Sequence, residues 1–103
     1  MARFDAYANP DLGERGHTPF LLEVQNDYIS GLQSRVVIPL RTEAAFGPRA
    51  RDLNPLLDVA GQAVVLDTAA MAAVPLVLLR PPAQPLQAGR ADVLAALDTL
   101  FGA

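Results

Sequence analysis

A β-rich α+β domain with one C-terminal helix is the fold class the sequence predicts, and three observations carry it. Short apolar runs separated by turn residues recur from Phe4 to Leu79. β-Branched residues crowd the best of these runs, Arg35-Val36-Val37-Ile38-Pro39-Leu40-Arg41, as suits a pleated, half-buried surface. Only the end of the chain changes to helical period. Strands followed by a terminal helix describe a mostly β domain of the α+β class.

Taken in order, Phe4, Ala6 and Ala8 alternate with Arg3, Asp5 and Tyr7, the period of a half-buried strand. Asn9-Pro10-Asp11, then Gly13 and Gly16, form a loop. Phe20-Leu21-Leu22-Glu23-Val24-Gln25 is a second strand, and the chain turns again at Ser30-Gly31. In the strand over 35–41, Pro39 has no N–H for a ladder, which predicts an edge or a bulge there. Residues 43–52 are polar and broken by Gly47-Pro48, an irregular crossing with at most one helical turn. Residues 56–66 read as a hairpin around Ala60-Gly61-Gln62. The alanine-rich stretch 68–73 has helical character until Pro75, and Pro75-Leu76-Val77-Leu78-Leu79 reads as a buried strand. Pro81-Pro82 and Pro85 make a stiff connector without regular structure. From Arg90 to Phe101 the apolar residues Val93, Leu94, Leu97, Leu100 and Phe101 form one helical stripe. Asp92 suits the positive end of that helix and Gly102 its left-handed C-cap.

Composition narrows the function. The 103 residues suit a single domain over 1–103, with 51% apolar and 18% charged residues, so the chain is neither disordered nor solvating. A net charge of −3 argues against direct nucleic-acid binding, which needs a basic patch. All eight bases are arginine and they are scattered. Absence of cysteine excludes disulfides and thiolate chemistry. No signal peptide and no membrane-length apolar run is visible, so a soluble, cytoplasmic protein without a membrane partner is expected.

Catalytic chemistry finds little support. His17, the one histidine, stands in a loop without the partner ligands a metal site or an acid–base pair requires. Ser30 and Ser34 have no nucleophile elbow, and Gly13-Glu14-Arg15-Gly16 lacks the context of a phosphate loop. Arg49 and Arg51 beside Asp52 offer an anion site, against the plainer reading of a solvated loop of mixed sign. Asp58 and Asp67 flank the hairpin and become a carboxylate pair only if the fold joins them. No cofactor is implied. The residues point to a binding protein rather than an enzyme.

Four stretches together resemble the CcdB family of toxins from toxin–antitoxin modules. Phe4-Asp5-Ala6-Tyr7 is similar to that family's opening strand. Leu22-Glu23-Val24-Gln25-Asn26-Asp27 resembles its L/V-x-V-Q-S/N-D segment, and Arg35-Val36-Val37-Ile38-Pro39-Leu40 its R-x-V-I-P-L strand. Leu53-Asn54-Pro55, then Thr68-Ala69-Ala70-Met71-Ala72-Ala73-Val74-Pro75, fit its L-x-P and T-x-x-M-A-x-V-P elements. The resemblance implies an antiparallel sheet similar to an SH3-like barrel, one C-terminal helix and a homodimer. It also implies a protein that binds the A subunit of DNA gyrase, traps the cleaved gyrase–DNA complex and is neutralised by a cognate antitoxin.

By the same resemblance the gyrase-binding residues are Phe4, Tyr7, Asn26, Tyr28, Ile29, Asp98, Phe101, Gly102 and Ala103. Here the chain departs from the family, whose helix finishes in Trp-Gly-Ile. It has no tryptophan: with one residue skipped, Phe101-Gly102-Ala103 stands in for that ending, and without the skip Phe101 matches the phenylalanine before the tryptophan and the tip is short. Loss of an indole anchor removes about 2 kcal/mol or more of binding. The plainer reading makes Phe4, Leu97 and Leu100 core and lets Phe101 cap the helix's apolar face. Two other functions stay open: a messenger-RNA-cleaving toxin of related fold, and a relative with an altered target that keeps only antitoxin binding. A homodimer is also expected because a small core with exposed apolar strands needs cover.

Overall fold

The computed structural model describes residues 3–26, 31–86 and 88–102. Its elements are β1 (Asp5–Ala8), β2 (Phe20–Glu23), β3 (Ser34–Thr42), α1 (Glu43–Phe46), β4 (Leu56–Val59), β5 (Gln62–Leu66), β6 (Ala72–Pro75), β7 (Gln84–Pro85) and α2 (Arg90–Phe101). The strands form one antiparallel sheet in the order β4-β5-β3-β2-β1-β7, with β6 also paired to β3. An isolated bridge from Val59 to Leu86 brings the far edge round toward the segment after β7. The sheet is therefore a nearly closed barrel with α2 as its single long helix, and the fold is α+β and mostly β.

β3 holds this arrangement together. Along one side it pairs with β2; along the other, residues Ser34 to Val37 face β6 and Leu40 to Thr42 face β5. Pro39 falls in the gap between those two partners, where its carbonyl accepts the Asp67 N–H at 3.0 Å. The expectation of an edge strand at Pro39 is thus corrected. The strand is central, and the missing N–H falls where no ladder bond is asked of it.

Alternation sends side chains to two covered faces. Inside the barrel, Phe4, Ala6, Leu22, Val24, Ile38, Leu40, Leu57, Val59, Val64 and Leu66 pack with Val93 and Ala96 of α2. On the opposite face, Tyr7, Leu21 and Val37 are covered by Leu79, with Val74 and Ala83 packed alongside. Double-sided burial explains the continuous apolar run in β2. It also corrects the simple alternation expected of β1, where Tyr7 is buried and Ala8 is exposed.

Three further expectations change. The stretch 68–73 is a three-residue 3₁₀ turn, Thr68–Ala70, followed directly by β6. Residues after Pro75 do not form a buried strand: Leu76–Leu78 is a 3₁₀ turn with Val77 70% exposed. The proline connector does contribute a strand, since β7 pairs Gln84 and Pro85 with Ala6 and Asp5. On α2, Val93 and Ala96 are the buried pair, three residues apart on one face. Leu97 and Leu100, expected in the core, are only half-buried, and Leu94 is exposed. Gly102 adopts the left-handed C-cap, donating its N–H to the Asp98 carbonyl.

The β4–β5 hairpin turns through Ala60 (φ 53°) and Gly61 (φ 80°), the two positive dihedrals of a type I′ turn. Alanine tolerates the left-handed region poorly, while asparagine enters it readily. We therefore expect Ala60→Asn to stabilise the protein by about 0.5–1 kcal/mol, raising its Tm by a few degrees. Thermal unfolding followed by circular dichroism checks this; a Tm at or below that of the parent would contradict it.

Candidate functional site

The nine residues singled out by resemblance fall in separate places. Tyr28, Ile29 and Ala103 lie outside the described residues. Phe4 and Tyr7 are buried, at 5% and 3% exposure, on opposite faces of the sheet. Asn26 is exposed beyond the end of β2. Asp98, Phe101 and Gly102 form the exposed tip of α2, with Phe101 68% exposed.

Phe4 has an unusual backbone. Its φ of 70° is a left-handed conformation that costs a bulky residue about 1–2 kcal/mol. Burial of the ring and a 2.7 Å bond from its N–H to the Glu23 carbonyl hold it there. The guanidinium of Arg3 lies 4.8 Å from the ring centroid, and that of Arg90 5.9 Å from it. Arg90 is the first residue of α2, so the helix axis runs about 16 Å from there to Phe101. The structure therefore sets the Phe4 end and the Phe101 end of the helix apart, and Phe101 is no part of the Phe4 cluster.

A buried polar group accompanies Tyr7. Glu23 and Arg35, 2% and 4% exposed, face each other with 3.8 Å between Oε2 and Nε. Arg35 also donates Nη1 to the carbonyls of Leu32 and Ser34 at 2.5 and 2.9 Å. Burial pushes the Tyr7 phenol above its ordinary pKa, the charges of Glu23 and Asp5 push it the same way, and Arg35 opposes them. Sequence reasoning missed this ion pair, although both residues stood within quoted motifs. Its signal was a charge inside each of the two most apolar strands.

The residues weighed for catalysis find structural partners. His17 is exposed, with Nδ1 2.7 Å from Thr18 Oγ1. The same hydroxyl accepts Arg41 Nη1 at 2.8 Å, and Arg41 Nε donates to Asp67 Oδ2 at 2.7 Å. This chain of contacts ties the β1–β2 loop to β3 and to the end of β5. Asp58 accepts the Gly61 N–H at 2.9 Å within the hairpin turn, so the two aspartates have different partners. Arg49 donates to the Asn54 carbonyl at 3.2 Å and lines a cleft with Arg51, where Asp52 and Asp92 offset the two positive charges. Among the described residues no cluster of histidine and carboxylates could hold a metal ion, and no helix is long and apolar enough to cross a membrane.

Two outcomes follow from the buried group. Arg35→Met strands the Glu23 carboxylate and is expected to destabilise the protein by about 3–5 kcal/mol, while adding Glu23→Gln restores much of the loss; urea unfolding of the single and double variants measures both. The raised Tyr7 pKa means the folded state holds the phenolic proton longer than the unfolded chain does. Stability is then intact below about pH 10 and declines as the pH rises through the folded value. Tyr7→Phe should flatten that alkaline decline, and an unchanged slope above pH 10 would count against it.

The family model described as CcdB protein matches residues 3–102. A comparison with curated proteins found no match. Since the family match spans nearly all of the 103 residues, and the fold is the barrel-like sheet with one terminal helix, the chain belongs to the CcdB family.

Proposed function

We propose that this protein is a toxin of a toxin–antitoxin module that binds the A subunit of DNA gyrase and traps the cleaved gyrase–DNA complex. Membership of the CcdB family supports the toxin assignment. Gyrase as target rests on the resemblance, and the observation that carries it is the α2 tip. There Phe101 stands 68% exposed, directly before the left-handed Gly102. An aromatic ring that the chain's own core leaves uncovered is the side chain a protein interface uses as an anchor. Leu94, also exposed on the same helix, widens the apolar surface.

Inhibition proceeds by binding, without a chemical step on the toxin. Phe101 enters a pocket of the target, Gly102 turns the backbone clear of it, and Asp98 supplies a polar contact one turn earlier. By the resemblance, Asn26, Tyr28 and Ile29 add further contacts. Phe4 and Tyr7, being buried, act by shaping β1 rather than by touching the target. A cognate antitoxin neutralises the toxin by binding it, and the active form is a homodimer that places two tips on one target.

The test is a cleavage assay with host gyrase, supercoiled plasmid and ATP. Linear DNA is expected with the protein, and at least tenfold less with Phe101→Ala, whose ring contributes little to the core. Absence of linear DNA with the parent protein would refute gyrase as the target. Light scattering at micromolar concentration should give twice the 10.9 kDa chain mass; a monomer would overturn the dimer.

A further inference from the structure

A relay of side chains leads from the base of the β1–β2 loop into the barrel. His17 and Thr18 lie at the end of that loop, Arg41 in β3, and Asp67 directly after β5. Arg41 Nε donates to Asp67 Oδ2 at 2.7 Å, and Arg41 Nη1 donates to Thr18 Oγ1 at 2.8 Å. The same Thr18 oxygen lies 2.7 Å from His17 Nδ1. Thr18 is 2% exposed, whereas His17 is exposed.

Hydrogen-bond accounting fixes the protons along this relay. A guanidinium only donates, so the Thr18 oxygen acts as acceptor toward Arg41. The hydroxyl's own hydrogen then has one partner within reach, His17 Nδ1, which accepts it. His17 is therefore neutral, with its proton on Nε2. Charging the ring puts a proton on Nδ1 as well. Two cationic donors would then share one oxygen, and the hydroxyl hydrogen would be left without an acceptor in a buried site.

The surrounding charges do not favour the charged ring. Arg41 brings a positive charge from β3, and Asp67 is already paired with it. Within the loop, Glu14 accepts Asn9 Nδ2 at 3.3 Å, and Arg15 donates to the Asn9 carbonyl at 2.6 Å. Glu43 opens α1 and is exposed. Among the described residues none of these carboxylates forms an ion pair with His17. The relay is also tied to the backbone, because the His17 carbonyl accepts the Thr42 N–H at 2.9 Å. The Thr18 carbonyl likewise accepts Asn9 Nδ2 at 3.0 Å.

We infer that His17 and Thr18 form a pH-sensitive latch, closed while the imidazole is neutral and released when acidification charges it. The latch is complete at about pH 8 and is lost as the pH falls toward about 5, the range in which histidine changes charge. Release loosens the β1–β2 loop from β3, and with it the exposed Leu12 and Arg15. The inference does not depend on gyrase being the target.

The experiment follows the full chain by NMR at about pH 8 and about pH 5. At the higher pH the ring-nitrogen spectrum should show Nδ1 as the unprotonated nitrogen. On acidification, hydrogen-exchange protection of the Thr42 amide, corrected for the intrinsic effect of pH, should fall about tenfold. Protection of Ile38, buried in the same strand, should hold. His17→Asn supplies an acceptor that cannot charge and should keep the Thr42 protection at both pH values. A proton found on Nδ1 at the higher pH would overturn the inference whatever the variant does. So would a Thr42 protection unchanged by acidification, or one that falls equally in His17→Asn.

Discussion

Partition of one long strand between two partners is the constraint on which this fold depends. β3 pairs Val37 to Leu40 with β2 on one side and divides the other between β6 and β5. A proline elsewhere in a central strand would remove a ladder bond and weaken the sheet. At Pro39 the chain has already changed partner, and the proline carbonyl still serves the Asp67 N–H. Two strand pairs can therefore diverge from one strand, which lets a small sheet curl toward closure. The Val59–Leu86 bridge and the α2 residues Val93 and Ala96 then cover the remaining opening.

Curling has a consequence for charge. Because β1, β2 and β3 are covered on both faces, any polar side chain in their middle is desolvated and needs a partner. Glu23 and Arg35 meet this requirement in each other and in the backbone carbonyls of Leu32 and Ser34. An apolar pair would stabilise the face as well or better. What the ion pair adds is geometry: Arg35 holds the chain that leads into β3 against the end of β2.

Much of this was legible in the sequence, for identifiable reasons. α2 was readable to its end residues because Arg90 to Phe101 lacks proline and glycine and Gly102 stops it. The hairpin over 56–66 was readable because alternating apolar residues bracket a glycine turn. The stretch from Pro75 to Leu79 misled because apolar content was taken as burial, whereas Val77 projects from a 3₁₀ turn. The helical stripe misled in the same way, since α2 rests on the barrel by a narrow seam and small Ala96 makes the close approach. β7 escaped notice because a proline-rich pair of residues pairs with β1 only through tertiary context. Of the candidate site, the tip was readable from the resemblance, and a groove lined by residues 8–20 and 78–84 was not. The groove draws on two segments far apart in sequence, and no local pattern brings Leu12 and Phe20 beside Arg80.

The placement of arginine explains how an acidic protein of this size can present more than one binding face. Arg35 and Arg41 are spent on internal carboxylates, Arg49 on a carbonyl, and Arg3 and Arg90 lie over Phe4. Those five stabilise the fold and leave little positive potential at the surface around them. Arg15 and Arg80 are different, because both line a groove between the β1–β2 loop and the turn after β6 that no carboxylate lines. The α2 tip is the reverse case, an exposed ring with an aspartate one turn behind it and no basic residue in the last turn of the helix. One face thus offers positive charge and the other an exposed apolar ring. Two surfaces with such different chemistry are poorly suited to the same partner segment.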